Sequence, residues 1–172
     1  YVERKLPEDA INIQRYLSSG VIKGIGSALA KKIVTAFGSQ TLEIMEKQPT
    51  RLMEIRGISP KKCETIAQEV QKIFALRSLM LFLQQYNIRS RYAMRAYQCY
   101  GSGAKEMILA NPYLLCEMGI ELPFEKAEIL ADDLKVPKNA EQRILAGTCY
   151  ILEHNTHNGY TCLPLDRLQP KV

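Results

Sequence analysis

The sequence predicts an all-α fold: two tandem copies of one small helical unit, followed by a short helical segment with a helix-turn-helix-like character. Three observations predict it. Apolar residues recur at helical spacing along most of the 172 residues, alternating strand patterns are nearly absent, and the chain resembles itself at an offset of 63 residues.

Helical patterns run near 9–18, 27–37, 41–47, 60–85, 90–100, 102–109, 124–134 and 140–155. In the second of these, Leu29, Ile33 and Phe37 share one face while Lys31, Lys32 and Thr35 look outward. Ser27, Ser59-Pro60, Ser90, Asn111-Pro112 and Asn139 read as N-caps, two of them with proline in the first helical position. The long stretch 60–85 moves its apolar face around Ala75, from Ile66, Val70 and Ile73 to Leu76, Met80 and Leu83. That predicts two helices or one bent helix.

The repeat pairs Ile25 with Ile88, Ser27 with Ser90, Ala30 with Ala93 and Gly38 with Gly101. It continues through Glu43/Glu106, Pro49/Pro112, Leu52/Leu115 and Glu54/Glu117. A small insertion then shifts the offset to 64, where Lys62/Lys126, Glu64/Glu128 and Ala67/Ala131 agree. The expected organisation is a lead-in helix in 1–20, a first unit in 21–84, a second in 85–136 and a helical segment in 137–172. The repeated cores lie near 22–70 and 85–134.

Charge divides along the same line. Residues 1–100 carry 16 Lys and Arg against 8 Asp and Glu, residues 101–172 carry 7 against 10, and the net charge is +5. A basic half suggests a polyanionic partner meeting that half. Five widely spaced cysteines with no CxxC pair argue against a disulfide framework and for a reducing cytoplasm. No apolar run approaches the roughly 20 residues of a membrane span, and the polar start is unlike a signal peptide. The first residue is Tyr1 rather than Met, so a piece of a longer protein is expected.

The functional signal is Ile22-Lys23-Gly24-Ile25-Gly26-Ser27-Ala28-Leu29-Ala30-Lys31-Lys32-Ile33. It resembles the helix-hairpin-helix motif, in which an h-x-G-h-G turn joins two short helices. Glycines permit positive φ and remove side chains that would hold a phosphate away. The N–H groups opening the second helix, aided by its dipole, can then take the phosphate oxygen. Ile25 is expected to plug into the core. Ala30 and Ile33 let the helices approach, and Lys23, Lys31 and Lys32 add charge.

A second copy, Ile55-Arg56-Gly57-Ile58-Ser59-Pro60-Lys61-Lys62-Cys63, has serine for the second glycine and a proline that lacks one N–H donor. Arg56, Gly57, Ser59, Lys61 and Lys62 are its candidate contacts. The third copy, Tyr86-Asn87-Ile88-Arg89-Ser90, has lost both glycines, although Asn87 tolerates left-handed geometry. The fourth, Met118-Gly119-Ile120-Glu121, places an acid where the phosphate would sit. DNA binding is therefore expected in the first unit, at Lys23, Gly24, Ile25, Gly26, Ser27, Lys31 and Lys32 with the second-hairpin residues. Phosphate contacts carry no sequence information, so binding is expected to be sequence-independent.

The order of further anchors resembles something narrower. They are Tyr16-Leu17-Ser18-Ser19-Gly20-Val21 before the first hairpin, Phe37-Gly38, Leu79 to Leu83, Tyr100-Gly101 and Asn111-Pro112-Tyr113. Arg143 to Gly147, Tyr150 to Glu153, Gly159-Tyr160-Thr161 and Leu163-Pro164 complete the set. Over approximately residues 11–168 the chain resembles the N-terminal region of the long-form RecD-like helicases, bacterial ATP-dependent DNA helicases related to the exodeoxyribonuclease V alpha subunit. The resemblance implies a DNA-handling module ahead of a 5′ to 3′ motor, with roles in DNA repair and recombination. Its partners would be single-stranded DNA or a single/double-strand junction and its own missing motor domains. ATP and Mg would belong to those domains. This chain has no G-x-x-x-x-G-K-[ST] loop, so no nucleotide, metal, cofactor or catalytic centre of its own is expected.

Other readings compete. The same fold can serve as a non-enzymatic scaffold docking a repair partner, which exposed apolar residues around the hairpins would favour. A lyase would need a desolvated lysine of lowered pKa, which adjacent Lys31 and Lys32 on an exposed face do not offer, and no glycosylase-type aspartate follows a hairpin. Cys149, His154, His157 and Cys162 are zinc-binding types, but a helix end with two surface histidines accounts for them more simply. Tyr92, Tyr97 and Tyr100 could stack on bases. The register of Tyr97 and Tyr100 places them in the core instead.

Overall fold

The computed structural model describes residues 7–157, 159 and 162–168. Tyr160 and Thr161, two of the sequence anchors, lie outside these residues. Helices and turns account for the described residues, with no strand among them. Asp9 caps α1 (Ala10–Ser18), its carboxylate accepting the Asn12 N–H at 2.8 Å, which holds the Asp9 carboxyl below its usual pKa. Then come α2 (Ser27–Phe37), a 3₁₀ turn (Gly38–Gln40), α3 (Thr41–Lys47), a second 3₁₀ turn (Pro49–Glu54) and α4 (Pro60–Gln84). The same series recurs as α5 (Ser90–Tyr100), Gly101–Gly103, α6 (Ala104–Ala110), Pro112–Cys116 and α7 (Phe124–Asp133). The chain continues through α8 (Glu141–His157) and the one-turn α9 (Leu165–Leu168).

The stretch expected as two helices or one bent helix is a single helix from Pro60 to Gln84, and its change of face is a change of client. Cys63, Ile66 and Val70 enter a first hydrophobic core, and Leu79 and Leu83 enter a second. The chain accordingly divides into two compact units, Tyr1–Phe74 and Ala75–Val172, with the division inside α4.

In the first unit, Ile13 and Leu17 of α1 are fully buried with Ile22, Ala30, Ile33 and Leu52. α1 thus packs in the first core as the helix that precedes the first hairpin turn. In the second unit, Leu79 and Leu83 do for the third hairpin what Ile13 and Leu17 do for the first.

The 63-residue repeat survives in three dimensions. α5 and α6 begin 63 residues after α2 and α3. Ala30 and Ala93 are both fully buried, as are Leu52 and Leu115. Gly38 and Gly101 end their helices with φ of 57° and 65° and ψ of −133° and −147°, a conformation open only to glycine.

Three expected caps are corrected. Ser27 and Ser90 are the first residues inside their helices, and Gly26 and Arg89 occupy the cap positions. Asn139 lies one residue too early, because the Ala140 carbonyl takes the first helical N–H, that of Ile144. Asn111 does cap, through the Tyr113 N–H at 3.1 Å, but the turn it starts is 3₁₀.

Candidate nucleic-acid interface

In the first hairpin the Ile25 N–H closes the turn on the Ile22 carbonyl at 3.3 Å, and both side chains are buried, at 4% and 1% exposure. Of the two residues between them, Lys23 and Gly24, the second takes φ of +92°, which glycine does freely, with Ile66 of α4 packed behind. Ile25 therefore fixes the turn, and its own N–H is already used. Gly26 differs from Gly24. Its φ of −93° and ψ of 174° suit any residue, and a Cβ there would meet nothing within 4 Å. No side chain caps α2, and the first N–H to reach a helical carbonyl is that of Ala30, at 2.9 Å from Gly26. The N–H groups of Ser27, Ala28 and Leu29 are left facing outward at the positive end of the helix dipole. Ala28 and Leu29 were not among the contacts expected from sequence, where Leu29 was read for its apolar side chain alone; fixing the helix start at residue 27 is what identifies their N–H groups.

The second hairpin repeats the turn with different chemistry at the helix start. Ile58 N–H bonds the Ile55 carbonyl at 3.1 Å around Gly57, whose φ is +108°. Ser59 Oγ accepts the Lys62 N–H at 3.3 Å, Pro60 has no N–H, and Cys63 N–H takes the Ser59 carbonyl at 2.8 Å. Of the first-turn donors only the Lys61 N–H stays open. The buried Cys63 fills the small-residue place that Ala30 holds in the first hairpin; its thiol donates to the Pro49 carbonyl at 3.1 Å, and burial pushes its pKa up.

Lys23, Ser27, Lys31, Lys32, Arg56, Ser59 and Lys61 are exposed, and Lys62 is half-buried. The two hairpins are neighbours, since Lys32 Nζ donates to the Arg56 carbonyl at 3.4 Å and lies 4.0 Å from where a Cβ on Gly57 would be. The sequence-predicted residues therefore come together on one unit, with Lys32 partly engaged inside it.

In the second unit the same positions carry other chemistry. Asn87 takes φ of 55° in place of Gly24, and the Tyr92 N–H bonds the Arg89 carbonyl at 3.0 Å. The hydroxyl of Tyr86 donates to Asp133 at 2.6 Å. At the fourth hairpin Glu121, with φ of 60°, pairs with Arg95 at 3.0 Å. Met118, which holds the tip place of Lys23 and Arg56, is 94% exposed. Tyr92 is buried, and Tyr97 and Tyr100 pack against the second core.

The start of α8 is tied to this unit by Arg143, which grips Glu128 with Nε at 3.0 Å and Nη2 at 3.1 Å, while the Tyr113 hydroxyl donates to the same carboxylate. Tyr150 stacks between Phe124, at 5.3 Å, and His154, at 6.4 Å. Among the described residues no group of three or more His, Cys, Asp or Glu is placed to hold a metal ion, and no helix is long and apolar enough to cross a membrane.

A family model described as the ATP-dependent RecD2 DNA helicase HHH domain matches residues 72–162. Another, described as a SAM-like helix-hairpin-helix tandem, matches residues 15–72. The ATP-dependent RecD2 DNA helicase of Deinococcus radiodurans is 23% identical over 152 residues, which are 88% of this chain and 21% of that protein. The chain thus spans about a fifth of the length of this curated relative. No solved structure matches. With more than half of its length matched by the first of these models, the chain belongs to the helix-hairpin-helix domain family of ATP-dependent RecD2 DNA helicases.

Proposed function

We propose that this chain binds DNA without regard to sequence by capturing backbone phosphate at the open start of α2. In this reading it is the N-terminal DNA-handling part of an ATP-dependent RecD-like helicase that moves 5′ to 3′. The observation that carries the reading is Gly26. The fold does not need glycine there, yet its absent side chain leaves three N–H groups accessible. A phosphate oxygen approaching a helix start needs free N–H groups and no capping side chain in its way. Lys23, Lys31 and Lys61 supply cationic surface around it, and Gly57 keeps the neighbouring turn low. ATP and Mg belong in this reading to the motor domains, which are the chain's partners in the full-length protein, and the setting is cytoplasmic.

The test is fluorescence anisotropy of labelled single-stranded, duplex and junction DNA across a salt series. The expected result is binding by all three that weakens linearly in log–log form with salt. Absence of binding at low salt sinks the reading.

A scaffold role for the second unit has one observation in its favour, the exposed Met118 at a hairpin tip. In that case DNA binding would be unchanged by Met118→Ser while association with a repair partner protein would be lost.

A further inference from the structure

α8 has two unlike faces, and among the described residues only one of them is packed against the second core. Its inward face carries the buried Gly147, Ala146 packed on the second core, Arg143 on Glu128 and Tyr150 stacked on Phe124. The opposite face of a docked helix is normally polar. On α2 it carries Lys31, Lys32 and Thr35. On α8 it carries Ile144, Leu145 and Leu152, exposed by 42%, 60% and 40%, with exposed Cys149 between them. Residues 144–152 contain no charged side chain.

We propose that this stripe is the seat of the motor region in a full-length helicase of the family, an inference that rests on the helicase reading above. The stripe's size argues for a tethered occupant. Four side chains fall far short of the roughly 20–30 residues a side of a stable interface between free proteins. A segment of the same polypeptide needs less, because the tether holds it at an effective concentration on the order of millimolar. A tethered occupant has ample source, since the aligned region is 21% of the helicase relative.

Cys149 supplies the probe. In the full-length polypeptide carrying this chain, maleimide labelling is followed by mass spectrometry at Cys149 and, as an internal control, at the exposed Cys99 of α5. Cys149 is expected to react at least about tenfold more slowly than Cys99. Leu145→Gln with Leu152→Gln should bring it to the control rate, and Leu145→Met should keep it protected. Labelling of Cys149 as fast as Cys99, or slow labelling that the double variant leaves unchanged, overturns the proposal. A dimer of this chain alone that the double variant disperses also overturns it, because the stripe then seats a second copy.

ATP-dependent unwinding by the same preparation separates the two readings. Unwinding with an open Cys149 removes the stripe inference and keeps the helicase. A protected Cys149 without unwinding removes the helicase reading, and with it the motor as occupant.

Discussion

Lys32 Nζ stands 3.4 Å from the main-chain oxygen of Arg56, joining the helix of the first hairpin to the turn of the second. At the equivalent place 63 residues on, Arg95 Nη1 stands 3.0 Å from the main-chain oxygen of Ile120 in the fourth turn. A long cationic side chain is therefore used in both units to steady a hairpin turn, whether or not that turn faces an anion. Lys32→Ala should speed amide exchange at Ile58 several-fold, and Arg95→Ala should do the same at Ile120, each leaving the opposite unit unchanged. Native-state hydrogen exchange measures it. Unchanged rates at both amides would mean the contacts do not steady the turns.

Gly26→Ser converts the start of α2 to the chemistry of Ser59. Serine at a cap position stabilises a helix by a few tenths of a kcal/mol relative to glycine. Its hydroxyl also occupies an N–H and crowds the approach. Thermal stability should therefore hold or rise while DNA affinity falls about tenfold, two effects of opposite sign in one variant. Anisotropy beside a melting curve reads both. A parallel loss of stability and binding would reduce the effect to folding.

Lys31 and Met94 are repeat equivalents on exposed helix faces. Lys31→Gln should lower the slope of log affinity against log salt by about one, as expected for one lost phosphate contact, and Met94→Gln should leave the slope alone. Equal slopes for both variants would place the phosphate elsewhere.

The Glu128 carboxylate makes the second unit sensitive to acid. Burial alone would raise its pKa, but the Tyr113 hydroxyl and the Arg143 guanidinium together outweigh burial and hold it below the ordinary carboxylate value. A depressed carboxyl contributes stability that is fully present above its unfolded pKa and lost as pH falls through the lower folded value. Melting temperature measured from about pH 6 down to about pH 2.5 should fall through that window. Glu128→Gln should flatten the fall while lowering stability near neutral pH.

Leu52 and Leu115 are fully buried repeat equivalents, one in each core. Truncation of either to alanine should cost about 2–5 kcal/mol in urea unfolding. A cost below about 1 kcal/mol at either site would mean that its core closes over the lost volume.

Local features were legible in the sequence. Positive φ at Gly24 and Gly57, left-handed Asn87 and the change of face along α4 all follow from residue type and spacing. The cap positions were less so, because a serine beside a glycine can sit on either side of a helix boundary and only the backbone turn decides. The 3₁₀ turns at Pro49–Glu54 and Pro112–Cys116 carry too few residues to show a period. The engagement of Lys32 was hidden for another reason. Its acceptor is a main-chain oxygen 24 residues away, and main-chain oxygens are the same at every position.

Gly38 and Gly101 hold one unusual backbone shape at corresponding places, although the glycines at 24 and 26 have given way to Asn87 and Arg89 in the second copy. The letters that mark the binding turn and the letters that mark the architecture are thus separable. A search for eroded copies of this unit keyed on the h-x-G-h-G turn would pass over residues 85–88. One keyed on the glycine that ends the helix after the turn, followed by a buried small residue three positions later, would find both copies.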